Sequence, residues 1–141
     1  MGLMSWFRQT QPETEWSTHA WGLSKTLCEG PLYRVDWCVG LQGRSSIHKH
    51  EHASNMFHVV QGSVGLHREG FKKAVLNAGD SLTVPKGDHH ALYVIEPCLF
   101  LEVYTWDTGK AWDISRLDEG NNIPVSVDIF LGFPTQKETH G

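Results

Sequence analysis

Short apolar segments alternate with turn residues along most of this chain. Strands of about four to eight residues with such turns between them are typical of all-β domains, and Val, Ile, Leu, Phe and Tyr dominate the segments. Glycine or proline marks most of the breaks, and no long helical period interrupts the pattern. The pattern predicts an all-β fold with seven strands: Tyr33 to Leu41, Ser45 to His50, Asn55 to Leu66, Lys73 to Leu76, Ser81 to Val84, His89 to Ile95 and Cys98 to Thr105.

The two ends of the chain differ from this central part. Residues 1–20 are polar with scattered tryptophan and are predicted to form an N-terminal arm, which leaves residues 21–120 for the barrel. Residues 113–117 are expected to form a short helical turn. Residues 121–141 hold a C-terminal strand and tail, because apolar and polar residues alternate from Ile123 to Phe133. That strand would cover a sheet edge of its own chain or pair with another subunit.

Length and charge narrow the class of protein. A chain of 141 residues accommodates one domain. The formal net charge of -4 argues against nucleic acid as a partner, because nucleic-acid binding normally needs a basic surface. No segment approaches the ~20 apolar residues of a membrane span, and the first ten residues lack the pattern of an export signal. Three cysteines without a C-x-x-C pair suggest free thiols, so we expect a soluble cytoplasmic protein.

Histidine carries the clearest chemical signal. Five of the nine histidines fall in two short clusters, His48-Lys49-His50-Glu51-His52 and His89-His90. Residues two apart on a strand point to the same face, so His48 and His50 are predicted to present their imidazoles to one point inside a barrel. The Pro and Gly of the segment before His90 turn the chain back and are expected to deliver this third imidazole from another strand.

These two segments resemble the two motifs of the cupin superfamily. The second matches at each fixed position up to the histidine, whereas the first has four residues instead of five between its glycine and its first histidine, and has Asn55 in place of the glutamate ligand. The resemblance covers roughly residues 30–105 and implies a jelly-roll β-barrel with an internal metal site. The matching residues are Gly43, His48, His50, Asn55 and Gly62 in the first motif and Gly79, Pro85, Gly87 and His90 in the second.

A narrower resemblance extends from His19 to about Gly120. Its segments look like the C-terminal cupin domain of type II phosphomannose isomerases fused to GDP-mannose pyrophosphorylase. That family has glutamine at the position of His48, glutamate at that of Asn55, and an arginine near Ala53. Of its proposed catalytic groups only an arginine has a counterpart here, at Arg116. The segments are His19-Ala20-Trp21-Gly22, Gly30 with Tyr33-Arg34-Val35, Phe57 to Gly62, and Glu102-Val103 followed by Asp113 to Asp118.

The resemblance and the histidine spacing together predict one divalent transition metal, Zn, Mn, Fe or Ni, held by His48, His50 and His90. Asn55 is either a neutral fourth ligand or a residue whose amide binds the backbone. The alternative to a metal is three imidazoles hydrogen-bonded to one another and to water. The other histidines are assigned elsewhere: His52 and His89 to the rim, His58 to the outer face, and His19, His67 and His140 to the surface.

Three residues are candidates for catalysis beside the metal. Glu102 and Tyr104 share strand parity and either reach the cavity as acid or base or make structural hydrogen bonds. Arg116 either binds a substrate phosphate or is a surface charge. Trp106 and Trp112, near the end of the barrel, either stack on a sugar ring or only contribute to packing. The leading hypothesis is a metal-binding cupin that binds or converts a small polar metabolite such as a sugar or sugar phosphate. The alternatives are a three-histidine non-haem iron dioxygenase and a non-catalytic binding cupin.

We also expect a homodimer. Small cupins often bury an apolar outer sheet face against a second copy, and Val35, Trp37 and Val39 offer such a face here.

Overall fold

The computed structural model describes residues 15–124, which form strands and connecting loops and contain no helix. None of these residues therefore forms a helix that is long and apolar enough to cross a membrane. The strands are β1 (Ser17–His19), β2 (Gly22–Glu29), β3 (Tyr33–Gly40), β4 (Gly43–Arg44), β5 (His48–Lys49), β6 (Ala53–Arg68), β7 (Ala74–Asn77), β8 (Ser81–Val84), β9 (His90–Trp106) and β10 (Ser115–Arg116).

Antiparallel pairing arranges these strands in two faces of one curled sheet. The front face has the order β1, β2, β3, the second half of β9, the first half of β6, and β8. The back face holds β10, β5 and β4 beside the first half of β9, followed by the second half of β6 and by β7. This all-β architecture is the predicted jelly-roll barrel.

The strands β6 and β9 run through both faces and bend where the faces meet. Their pairing shifts register between Val59 and Val64, and Gly62 lies in this segment with φ of +80°. A Cβ atom on Gly62 would lie 2.3 Å from the carbonyl oxygen of Pro97. Glycine is therefore required at this corner both for its left-handed backbone and for the close approach of β9.

The core lies between the two faces and is apolar at one end. Its largest fully buried side chains are Phe57, Phe100, Leu66 and Leu92. Towards the other end the interior becomes polar, and the inward positions carry buried histidine, glutamate, aspartate and asparagine side chains. Buried polar groups need partners or a ligand, so this end is where function is expected.

Several predicted elements differ from the observed ones. Of the predicted strand from Ser45 to His50 only His48–Lys49 is a strand, β5, and β4 precedes the predicted range. Ser45 still bonds Leu92 of β9, but the amide of Ile47 bonds the Asp118 carboxylate instead of a neighbouring strand. The two predicted strands between His89 and Thr105 are the single strand β9. The strand β2 was not predicted, since its serine, threonine and lysine residues dilute the apolar pattern.

The helical turn predicted over residues 113–117 is wrong. This segment is extended, and Ser115 and Arg116 of β10 pair with Lys49 and His48 of β5. Pairing with the short strand β5 gives the segment main-chain partners that its sequence does not reveal. At the N-terminal side, Ser17–His19 of the predicted arm is the edge strand β1. Residues 1–14 of the arm, and the predicted strand after residue 124, lie outside the described residues.

Candidate metal centre and the adjoining cavity

His48, His50 and His90 converge at the polar end of the barrel. His48 and His90 are directly paired residues of β5 and β9, and His50 follows β5 by one residue. The ring centroids lie 4.5 Å apart for His48 and His90 and 5.1 Å apart for His48 and His50. One nitrogen from each ring falls within 4.8 Å of the others, and all three residues are buried. The predicted triad is therefore assembled in the fold.

Each imidazole is oriented through its Nδ1 atom by a main-chain carbonyl. Nδ1 lies 2.8 Å from the oxygen of Ser46 in His48, 2.5 Å from that of Asp113 in His50, and 3.1 Å from that of Asp88 in His90. A carbonyl oxygen only accepts hydrogen bonds, so Nδ1 carries the proton in all three rings. Nε2 is therefore unprotonated in each ring, and its lone pair is directed away from the carbonyl. Metal-binding histidines use this tautomer.

Burial keeps the three imidazoles neutral. It lowers the pKa of His48 well below the usual value, lowers the pKa of His50, and lowers the pKa of His90 to about 4. The neighbouring imidazoles of the cluster lower the pKa of His48 and His90 further, because two adjacent positive charges repel. Neutral imidazole is the form that binds a metal.

Two of these imidazoles have a buried atom without a partner. The Nε2 atoms of His50 and His90 have no hydrogen-bond partner anywhere in residues 15–124. Leaving two such acceptors buried and unpaired is costly unless a ligand satisfies them. The donor set therefore fits a divalent transition metal, and nitrogen ligands suit Zn, Fe, Ni and Mn to different degrees.

Asn55 lies in β6 and is completely buried. Its Nδ2 atom donates to Oε2 of Glu102 at 3.3 Å, while its Oδ1 atom has no partner within the described part of the chain. The amide is therefore bound to a side chain and not to the backbone. Ligation by Oδ1 remains a prediction.

Glu102 and Tyr104 of β9 face the interior, as their shared parity predicted. The hydroxyl of Tyr104 donates to Oε2 of Glu102, and the thiol of Cys38 donates to Oε1 at 3.8 Å. Burial raises the pKa of Glu102 to about 7, against the opposing effect of the hydrogen bonds from Tyr104 and Asn55. Burial and the nearby Glu102 carboxylate raise the pKa of Tyr104 well above its usual value. Glu102 is thus poised between its two protonation states near neutral pH.

A cavity of about 530 Å³ adjoins the histidine cluster. His48, Glu102, Tyr104, Trp112 and Arg116 are among the residues that line it. Its size lies within the range of small-molecule sites, which is about 300 to 1,000 Å³.

The tryptophans and arginines near the cavity have different roles. Trp106 does not line the cavity, and its indole N–H donates to the carbonyl oxygen of Pro31. Trp112 does line it and lies under the guanidinium of Arg34, 4.7 Å from the ring centroid. Arg34 is held by Asp36 through two hydrogen bonds, whereas Arg116 is exposed and forms no ion pair with any residue in 15–124.

Sequence reasoning missed part of the cavity wall. Arg34, Asp36 and Cys38 are inward-facing residues of β3, and the same alternation that places Val35 and Trp37 outside would have identified them. Asp113 and Trp112 were also missed as neighbours of His50, because no local pattern indicates a contact between residues so far apart.

The remaining histidines of residues 15–124 lie outside the triad, and His140 lies outside the described residues. His52 is exposed, His89 bonds Glu69, and His58 is on the outer parity of β6, where its Nδ1 lies 2.6 Å from the Ser81 hydroxyl. His19 is exposed but borders the cavity, stacks on Trp21 and lies 2.6 Å from the Ser24 hydroxyl.

Comparison with known proteins supports the cupin interpretation. Residues 36–104 match the family model described as the cupin domain. A comparison with curated protein sequences gave no match.

Solved structures of similar fold include several cupins. KdgF from Halomonas sp. is 22% identical, with a TM-score of 0.60 over 67% of this chain and 88% of that one. An RmlC-like cupin from Shewanella frigidimarina NCIMB 400 is 22% identical, with a TM-score of 0.59 over 72% and 88%. The DMSP lyase DddQ from Ruegeria pomeroyi DSS-3 is 15% identical, with a TM-score of 0.62 over 74% and 61%.

At these identities the likeness concerns the fold alone, and the fold is that of an all-β cupin jelly roll. The narrower resemblance to phosphomannose isomerases stays a prediction.

Proposed function

We propose that this protein binds one divalent transition metal through Nε2 of His48, His50 and His90, and that it binds or converts a small polar metabolite in the adjoining cavity. The observation that carries the proposal is the common orientation of the three rings. Each Nδ1 is committed to a main-chain carbonyl, and the nitrogens of the three rings lie within 4.8 Å of one another.

The cavity chemistry favours a sugar or sugar phosphate as the metabolite. Arg116 offers several N–H donors without an ion-pair partner in the described residues, which suits a phosphate or another anion. The indole of Trp112 lines the cavity beside Arg34 and supplies apolar surface for a sugar ring. A bound divalent metal would polarise a carbonyl or hydroxyl oxygen of such a ligand.

Glu102 is the candidate acid and base of this site. Because burial raises its pKa to about 7, both the carboxylic acid and the carboxylate are populated near neutral pH. Tyr104 donates to Oε2 and Cys38 to Oε1, so both hydrogen bonds favour the carboxylate over the acid. Because both protonation states are accessible, Glu102 would accept a proton from a ligand that reaches the cavity wall and return it.

Elemental analysis of protein purified without an affinity tag or chelator tests the metal site. We expect about one equivalent of a single transition metal per chain, and its loss in the double variant His48→Ala/His50→Ala. The exposed residue next to the pair supplies a matched control, so His52→Ala should retain the metal. Stoichiometric metal in the double variant, or none in the wild type after titration at neutral pH, contradicts the proposal.

Turnover separates the candidate reactions. An isomerase would exchange the proton on C2 of an aldose phosphate with deuterium from D2O, which NMR detects. A second candidate is a three-histidine iron dioxygenase, favoured by the absence of a carboxylate from the metal-binding group found in residues 15–124. It would contain iron and consume oxygen. Ligand binding without either reaction would indicate a non-catalytic binding cupin.

We further propose a homodimer in the cytoplasm. Support for the dimer comes from the outer side of the front face, where Val35, Val39 and Trp37 of β3 are only partly buried. Their neighbours on β9, Leu99, Leu101 and Val103, extend this apolar face. The reducing compartment is supported by the cysteines, since Cys28, Cys38 and Cys98 are free thiols.

A further inference from the structure

His50 depends on a distant part of the chain in a way that the other two histidines do not. The carbonyls that orient His48 and His90 belong to Ser46 and Asp88, each two residues earlier in the chain. The carbonyl that orients His50 belongs to Asp113, 63 residues later. Local backbone geometry therefore suffices for two rings, while the third needs a tertiary contact.

The side chain of Asp113 holds this contact in place. Its carboxylate accepts hydrogen bonds from the amides of Glu51 at 2.8 Å and His52 at 3.0 Å, the two residues directly after His50. Main chain and side chain of one residue thus hold both the ring of His50 and the loop that follows it. A carboxylate that accepts hydrogen bonds from two successive amides fixes the positions of both peptide groups, and so it restricts the loop strongly.

The same segment forms a wall of the cavity. Every second residue of the segment lines the cavity, namely Trp112, Ile114 and Arg116, while Asp113 does not. Trp112 also lies against His50, with ring centroids 5.7 Å apart. At its far end the segment is held by Asp118, whose carboxylate accepts from the amide of Ile47 at 2.6 Å and from Arg44 at 2.8 Å.

We infer that Asp113 is a positioning residue that sets the tautomer and orientation of His50. Asp113 thereby couples the cavity wall structurally to the metal centre. The inference rests on the proposed function for its metal part, but the state of the His50 ring is a property of the protein alone. A residue that orients a metal ligand in this way typically changes metal affinity 10- to 100-fold when it is removed.

Nitrogen-15 NMR of the histidine rings tests the inference without any metal. In metal-free wild-type protein at pH 7.5 we expect His50 in the tautomer protonated at Nδ1. In Asp113→Ala the ring should become a mixture of both tautomers, whereas His48 and His90 should keep theirs. Asp113→Asn retains one acceptor oxygen and should give an intermediate result.

A control variant separates positioning from general loosening of the segment. Asp118→Asn weakens the other end of the same segment and should leave the His50 tautomer unchanged. A change of equal size in Asp118→Asn and Asp113→Ala would overturn the inference, as would an unchanged His50 tautomer in folded Asp113→Ala protein.

Titration with Co2+ supplies the metal part of the test. Asp113→Ala should bind Co2+ 10- to 100-fold more weakly than wild type and show an altered visible spectrum, with Asp113→Asn between the two. If wild type binds Co2+ and Asp113→Ala changes neither the affinity, the spectrum nor the His50 tautomer, the inference is overturned and the proposed function is left intact. A failure of wild type to bind any metal, together with the expected tautomer change, overturns the proposed function and supports the role of Asp113.

Discussion

His48 and His90 are directly paired across β5 and β9, and their ring centroids lie 4.5 Å apart in the interior of the barrel. Two imidazoles at this distance cannot both be charged without strong repulsion, and both are buried. The pair is thus stable only in its neutral form or with a metal between the nitrogens.

Metal-free protein should therefore lose stability in acid. The pKa of His90 is lowered to about 4 in the folded chain, while an unfolded chain binds the proton near its usual value of 6.5. The unfolded state thus takes up more protons as the pH falls from 6.5 towards 4. His90 alone should lower the free energy of unfolding by about 1 kcal/mol between pH 7.5 and 5.5.

Urea unfolding of chelator-treated protein at the two pH values measures this loss. Because His90→Ala removes the group, its stability should depend less on pH, whatever its absolute stability. His58 lies on the outer face of β6, so His58→Ala should keep the wild-type dependence of stability on pH. Equal pH dependence in wild type and His90→Ala would show that His90 does not titrate in this way.

Glu102 should have the opposite dependence. Burial raises its pKa from 4.5 to about 7, so between these values the unfolded chain releases a proton that the folded chain retains. This contribution to stability is present below pH 4.5 and is lost as the pH rises through about 7. The full loss is roughly 3 to 4 kcal/mol.

Comparison of wild type with Glu102→Gln isolates this effect. Glutamine has no titrating group, so the stability of the variant relative to wild type should increase as the pH rises from 4.5 to 8, measured by urea unfolding of the metal-free proteins. A constant difference over this range would mean that Glu102 is ionised in the fold at an ordinary pKa.

The corner between the two sheet faces should tolerate no side chain at Gly62. Its φ of +80° disfavours other residues, and a Cβ atom would lie 2.3 Å from the backbone oxygen of Pro97. We expect Gly62→Ala to lower the free energy of unfolding by about 3 kcal/mol through strain and crowding together.

Gly79 offers a matched control for this prediction. It has φ of +93°, but a Cβ atom there would meet nothing within 4 Å. Gly79→Ala should therefore show backbone strain alone, about 1 to 2 kcal/mol. Thermal or urea unfolding compares the two variants, and equal losses would show that the approach of β9 to Gly62 has no energetic weight.

The proposed dimer should depend on Trp37. A charge on the outer side of the front face would have to be desolvated in the interface, so Trp37→Glu should dissociate the dimer. Light scattering after gel filtration should give twice the chain mass of 15.9 kDa for wild type and the single chain mass for the variant.

Val75 on β7 supplies the control, because it is exposed on a different face of the molecule. Val75→Glu should remain dimeric. A wild-type protein with the mass of one chain would contradict the dimer and leave the metal proposal untouched.

The sequence alone was sufficient for the fold class and for the histidine triad. Strand periodicity and turn residues are local properties, and the parity that brings His48 and His50 to one face depends only on neighbouring residues. The same parity placed Glu102 and Tyr104 inside. The two motif segments indicated that His90 would come from a second strand, although its direct pairing with His48 appears only in the structure.

The tertiary structure decided what surrounds these side chains. That His50 is oriented by Asp113, that Glu102 receives hydrogen bonds from Tyr104, Asn55 and Cys38, and that residues 113–117 are extended and not helical all follow from contacts between distant segments. The raised pKa of Glu102 is caused by burial, which no local pattern encodes. A sequence specifies which residues share a face of a strand, but the environment of a buried group exists only after the strands have paired and closed around it.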